Sequence, residues 1–183
     1  MLDLGSALLQ LARGAIGQGF GQPPPAPPAG PPELAAPGAS FVTLTQGGDL
    51  RGCIGTLAAY RPLADDVRQN ALAAAFHDPR FKPLTAAELP RTRVEVSRLH
   101  PPQALPFAGP AEALAQLRPG VDGIVLSAGR RRATFLPQVW EQLPDPAEFL
   151  ARLKLKAGLP GDYWGDDLRL ERYTVDQWQE PPP

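Results

Sequence analysis

The stretch Phe41–Leu57, FVTLTQGGDLRGCIGTL, constrains this chain more than any other. Two runs of β-branched and large apolar residues flank Gln46-Gly47-Gly48-Asp49, and glycines reach positive φ without steric cost, so the stretch predicts a β-hairpin. In the second strand, strict alternation places Arg51, Cys53 and Gly55 on one face and Leu50, Gly52 and Ile54 on the other. Gly52 and Gly55 weaken a strand, and such glycines mark a close approach of a ligand or of another backbone. Cys53, the only cysteine of 183 residues, sits between them.

The remaining chain arranges itself around this hairpin. Leu4, Leu8, Leu11 and Ala15, with Ile16, recur at helical spacing over residues 3–18. Asp3, Gln10 and Arg13 interrupt the apolar run, so an amphipathic helix is expected rather than a secretory leader. Pro23, Pro24, Pro25, Pro27, Pro28, Pro31 and Pro32 follow. They favour an extended strap over residues 21–38. After the hairpin, Pro62 and RPLADDVRQNALAAAF predict a helix whose positive end carries Asp65 and Asp66. Thr85 and Glu88 form a capping-box pattern, and Thr92–Leu99 alternates as a strand.

The second half follows the same order. Ala111–Leu117 reads as a short helix, Gly123–Ser127 and Arg131–Leu136 as strands joined at Ala128-Gly129-Arg130. A helix capped by Asp145 runs to Ala157, and Leu168–Val175 is a closing strand. Strand, turn, strand, helix, strand thus occurs twice, at about 40–100 and 110–176, which argues for an internal duplication. The expected class is α+β: two repeats on one continuous, mainly antiparallel sheet with helices covering one side, forming a single domain over residues 1–183.

Composition narrows the function. The 18 Lys and Arg against 19 Asp and Glu give a net charge of −1, so no global field recruits nucleic acid or an anionic membrane. One cysteine excludes an internal disulfide and fits a reducing cytoplasm. With two histidines, it leaves too few ligands for a structural zinc site, and no metal is expected. Walker, GxGxxG, Ser-His-Asp and HExxH patterns are absent from the sequence. Cys53 is either a small buried hydrophobe or a reactive thiolate with a cation nearby. His77, at a helix end, is a candidate base, although its charge would also complement the helix dipole. The Arg130-Arg131-Arg132 tip reads as a solvated turn rather than an RNA contact.

LRGCIG, AAAFHDPRF, VEVSRL, RPGVDGIVL, GRRRATFLPQVW, PAEFLARLKLKAGLPGDYW and LRLERYTV occur in that order. This series resembles the AMMECR domain family from about Leu4 to Trp178. The resemblance implies a two-lobed fold of two related repeats on one barrel-like sheet with helices on the outside, with RGCIG as the defining motif and its cleft as the suspected site. Cys53 is then the candidate active-site cysteine, and Arg51, Gly52, Ile54, Gly55, His77, Arg80, Phe81, Gln138 and Trp140 are candidates for the cleft. In bacteria such domains are often encoded beside radical-SAM and Memo-like proteins. The resemblance therefore implies a cytoplasmic accessory protein or enzyme of a shared modification pathway, with no cofactor specified. A non-catalytic module holding a peptide or small anion is the alternative.

Overall fold

The computed structural model describes residues 2–24, 26 and 30–183. Its helices are α1 (Leu4–Gly19), α2 (Leu63–Phe76), α3 (Pro110–Gln116) and α4 (Pro146–Lys156). Its strands are β1 (Ala39–Gln46), β2 (Asp49–Gly55), β3 (Arg93–Leu99), β4 (Gln103–Ala104), β5 (Gly123–Ala128), β6 (Arg131–Phe135), β7 (Leu168–Tyr173) and β8 (Val175–Gln179). The chain forms two compact units, one of residues up to Leu99 with Asp176–Pro183, the other His100–Val175.

In the first unit the sheet order is β2-β1-β3-β8. Gly47 and Gly48 turn the β1–β2 hairpin at φ of 58° and 90°, as its residue types require. Val42, Leu44, Val94 and Val96 face a core completed by α1 and α2. Asp3 caps α1, accepting from the Ser6 amide at 2.9 Å, and Leu8, Leu11 and Ile16 are buried. Leu4 packs at the margin. The apolar stripe of α1 is therefore satisfied against α2 and β3. Among the described residues no helix is long and apolar enough to cross a membrane. The expected strap falls partly on Pro25 and 27–29, outside the described residues. Its later part forms a 3-10 turn at Pro32–Leu34.

The second unit has the order β4-β7-β5-β6, with α3 and α4 supplying a separate core around Phe149, Leu150 and Leu153. Asp145 caps α4 through the Glu148 amide at 3.0 Å. The two units repeat one arrangement of strands and helix. β2-β1-β3 and β6-β5-β7 are the same arrangement, each made of a hairpin, a helix and a third strand on the far side of the hairpin's first strand.

The expectation of one barrel-like sheet is corrected: there are two four-stranded antiparallel sheets, and neither closes. Each hairpin pairs only with the third strand of its own repeat, and Pro101-Pro102 after β3 cannot donate to a continuing ladder. The predicted closing strand Leu168–Val175 also divides. β7 ends at Tyr173 in one sheet, and β8 begins at Val175 in the other.

Candidate functional site

Cys53 lies on an edge strand, where outward N–H and C=O groups have no ladder partner. The turn after α2 closes this edge. Asp78 accepts the Cys53 amide through Oδ2 at 2.9 Å, and Arg80 donates through Nη2 to the Cys53 carbonyl at 3.2 Å. The same two side chains pair through Arg80 Nη2–Asp78 Oδ2 at 2.7 Å and Arg80 Nε–Asp78 Oδ1 at 3.0 Å. Asp78 is nearly buried. Hydrogen bonds from Arg80, followed by the Cys53 amide, outweigh desolvation and hold its carboxyl at about 2, against an ordinary 3.8. Its hydrogen bonds in turn raise the pKa of Arg80.

The thiol itself is half-buried. Thr43 stands directly across from Cys53 and also across from Glu95 on β3. Thr43 Oγ1 and Cys53 Sγ are 3.3 Å apart. Gln179 of β8 donates to Glu95 Oε2 at 3.0 Å. A polar row, Cys53, Thr43, Glu95 and Gln179, therefore crosses all four strands on the face opposite the helices. Ser97, on that face and 1% exposed, has a hydroxyl with no hydrogen-bond partner among the described residues.

The neighbouring candidates take different places. The ladder slips between Leu44 and Thr45, so that Gly52 opposes Leu44 while Leu50 opposes Thr45. Arg51 is the extra residue, and strict alternation ends there. Its guanidinium forks onto Glu88 at 3.0 and 3.3 Å. Glu88 also accepts from the Thr85 amide at 2.8 Å, and its carboxyl is held at about 2, chiefly by Arg51. The arginine bonded to the Cys53 backbone is thus Arg80. Both guanidinium groups lie near the Phe81 ring, at 5.9 and 5.4 Å from its centroid.

The two glycines serve packing. A Cβ on Gly52 would stand 2.2 Å from the Ala74 carbonyl oxygen of α2, and one on Gly55 would stand 2.2 Å from the Phe41 ring. Close approach is the reason for both, by a helix backbone in one case and a ring in the other. Ile54 packs against the first core. His77 is exposed, and its imidazole forms no hydrogen bond or ion pair among the described residues. The structure does not bring it to Cys53 as a paired base.

Gln138 and Trp140 belong to the second unit. Trp140 is a core residue, stacked on Phe149 at 3.7 Å and donating to the Asp122 carbonyl at 2.7 Å. The Gln138 side-chain oxygen is buried without a hydrogen-bond partner among the described residues. No group of three or more His, Cys, Asp or Glu side chains among the described residues is placed to hold a metal ion.

Sequence reasoning missed Asp78, Thr43 and Glu95. Asp78 was visible only as a helix breaker in Asp78-Pro79-Arg80-Phe81. Thr43 and Glu95 required the strand register, which no local pattern supplies.

Residues 9–178 match the AMMECR1 family model. The chain belongs to the AMMECR1 family. It is similar to a protein of Methanothermobacter thermautotrophicus, 41% identical over 142 residues that cover 76% of this chain and 74% of that protein. Protein MK0488 of Methanopyrus kandleri is 36% identical over 193 residues, covering 100% of this chain and 91% of that one. The crystal structure of the uncharacterized protein PH0010 from Pyrococcus horikoshii superposes with a TM-score of 0.90 at 35% identity, covering 98% of this chain and 92% of that chain.

Proposed function

We propose that this AMMECR1-family protein is a cytoplasmic accessory protein or enzyme of a modification pathway shared with Memo-like and radical-SAM proteins, and that its working group is the Cys53 thiol. The observation that carries this reading is the clamp around Cys53. Its amide and carbonyl are both held by the Asp78–Arg80 pair while its sulfur stays half-buried beside Thr43. A side chain whose backbone is fixed on both sides presents its sulfur in one position, as a reacting group requires.

The adjacent charges favour a thiol over an anion site. Arg80 is neutralised by Asp78 and Arg51 by Glu88. A small anion at these arginines would have to displace a carboxylate already held at short range.

A second reading, a non-catalytic module that grips a peptide, draws support from His77, whose imidazole is not paired with the sulfur. The test is to purify the wild type and Cys53→Ser with the proteins encoded beside them and assay both preparations for modification activity. If Cys53 is the working group, Cys53→Ser stays folded and loses activity. If the variant retains full activity and partner binding, the proposal fails, and retained binding with no activity in either form supports the module.

A further inference from the structure

The two sheets differ at one position. In the first, the far side of β3 is covered by β8, which has five residues; in the second, the corresponding strand on β7 is β4, which has two. β4 pairs only with Glu171 and Arg172. Leu105 then donates to the Leu170 carbonyl at 2.9 Å, and Pro106, which has no amide to donate, leads the chain away from β7. A cavity of about 750 Å³ opens where the missing strand would run. That volume is in the range of small-molecule sites.

Its walls all belong to the second unit. Phe107, on the loop after β4, and Trp164, on the loop before β7, both line it and meet edge to face at 6.0 Å. Its charged residues are Glu171, Asp166 and Arg169. Arg169 is turned back on its own backbone, and its Nη1 donates to the Asp166 and Leu168 carbonyls at 2.6 and 3.0 Å. The carboxylates of Glu171 and Asp166 make no hydrogen bond or ion pair among the described residues. Glu171 is moreover half-buried. A carboxylate drawn partly out of water and left unpaired costs free energy that a cationic ligand would recover.

We propose that this cavity binds a small organic cation, an amine or quaternary ammonium on an apolar body, with the body against Phe107 and Trp164 and the charge at Glu171. Two carboxylates against one guanidinium leave the wall net negative, so a simple anion is disfavoured and a cation is drawn in. The aromatic walls act in the same direction, because ring faces attract cations. Trp164 already displays that preference, with the Lys154 ammonium 3.6 Å from its ring centroid. An apolar body is required as well, since a bare ammonium would bury nothing against the two rings.

Cys53 belongs to the first unit, so binding here does not depend on its thiol being a working group.

Phenethylamine, phenylalanine and hydrocinnamate share one phenylethyl body and carry a cation, a zwitterion and an anion. Each is titrated against the full chain at neutral pH by ligand-observed NMR, up to millimolar concentration. Phenethylamine is expected to bind, and hydrocinnamate is not. Glu171→Gln keeps the side chain's shape and breaks no bond of the fold. It should weaken phenethylamine about tenfold or more at an unchanged melting temperature. Phe107→Ala, which removes one aromatic wall, should weaken it too. If phenethylamine does not bind, or if Glu171→Gln leaves its binding unchanged, the proposal is overturned. A lowered melting temperature in Glu171→Gln makes Glu171 a structural residue and overturns it as well. Equal or tighter binding of phenylalanine or hydrocinnamate overturns the assignment to cations.

Discussion

Replacing Asp78 by Asn keeps the side chain's shape and an acceptor for the Cys53 amide, but removes the charge that Arg80 grips. In the folded protein the Asp78 carboxyl titrates at about 2, against an ordinary 3.8. A carboxyl depressed in this way contributes about 2 kcal/mol of stability, fully present above pH 4 and lost as the pH falls through the folded value. Glu88, also held at about 2 against an ordinary 4.5, follows the same course. Asp78→Asn is therefore expected to be about 2 kcal/mol less stable than the wild type at pH 7, which lowers the urea midpoint by about 1 M for a typical slope. The gap should then close between pH 4 and 2, because only the wild type still has this carboxylate to protonate. Urea titrations at pH 7, 5, 4 and 3, followed by tryptophan fluorescence, measure both quantities. A variant as stable as the wild type at pH 7, or a gap that stays constant down to pH 3, would refute the role given to the clamp.

Asp66 is fully buried and accepts from the Ser40 amide and hydroxyl at 2.8 and 2.6 Å, Thr56 at 2.7 Å, Asn70 at 2.9 Å and Arg61 at 2.7 Å. Asp66→Ala strands these donors and should cost about 3–5 kcal/mol in a urea titration. Gly52→Ala puts a methyl group against the α2 backbone, and thermal melting should register a loss of about 1–3 kcal/mol from the forced displacement. Deleting residues 1–19 removes Leu8, Leu11 and Ile16 from the core, each worth about 1.5–3 kcal/mol. The melting temperature should fall steeply, and the fluorescence of Trp178, which packs over Gly5, should shift to the red.

The local elements were legible because local chemistry specifies them. Gly47-Gly48 fixes the first hairpin, Asp145-Pro146 starts α4, and the order of elements anticipates the arrangement that the two units share. What escaped depends on residues distant in sequence. Asp66 reads locally as a charge at the positive end of α2, yet its partners lie on β1, beyond β2 and within α2. Arg51 reads as facing the same way as Cys53, but one irregularity in the ladder sends it to Glu88. The division at Thr174 was equally hidden, since LRLERYTV is a plausible strand throughout and only tertiary pairing assigns its two ends to different sheets.

If Cys53 is presented as a working thiol, the rate of its alkylation by iodoacetamide in the folded protein reports it. With a single cysteine in the chain, mass spectrometry reads this rate without ambiguity. Cys53 is expected to be alkylated in the native protein without added denaturant. Arg80→Ala, which removes the cation bonded to the Cys53 carbonyl, should slow the reaction more than Arg51→Ala does. A sulfur that stays unmodified until urea unfolds the chain, at a rate set by global unfolding, would contradict the claim and make Cys53 a packing residue.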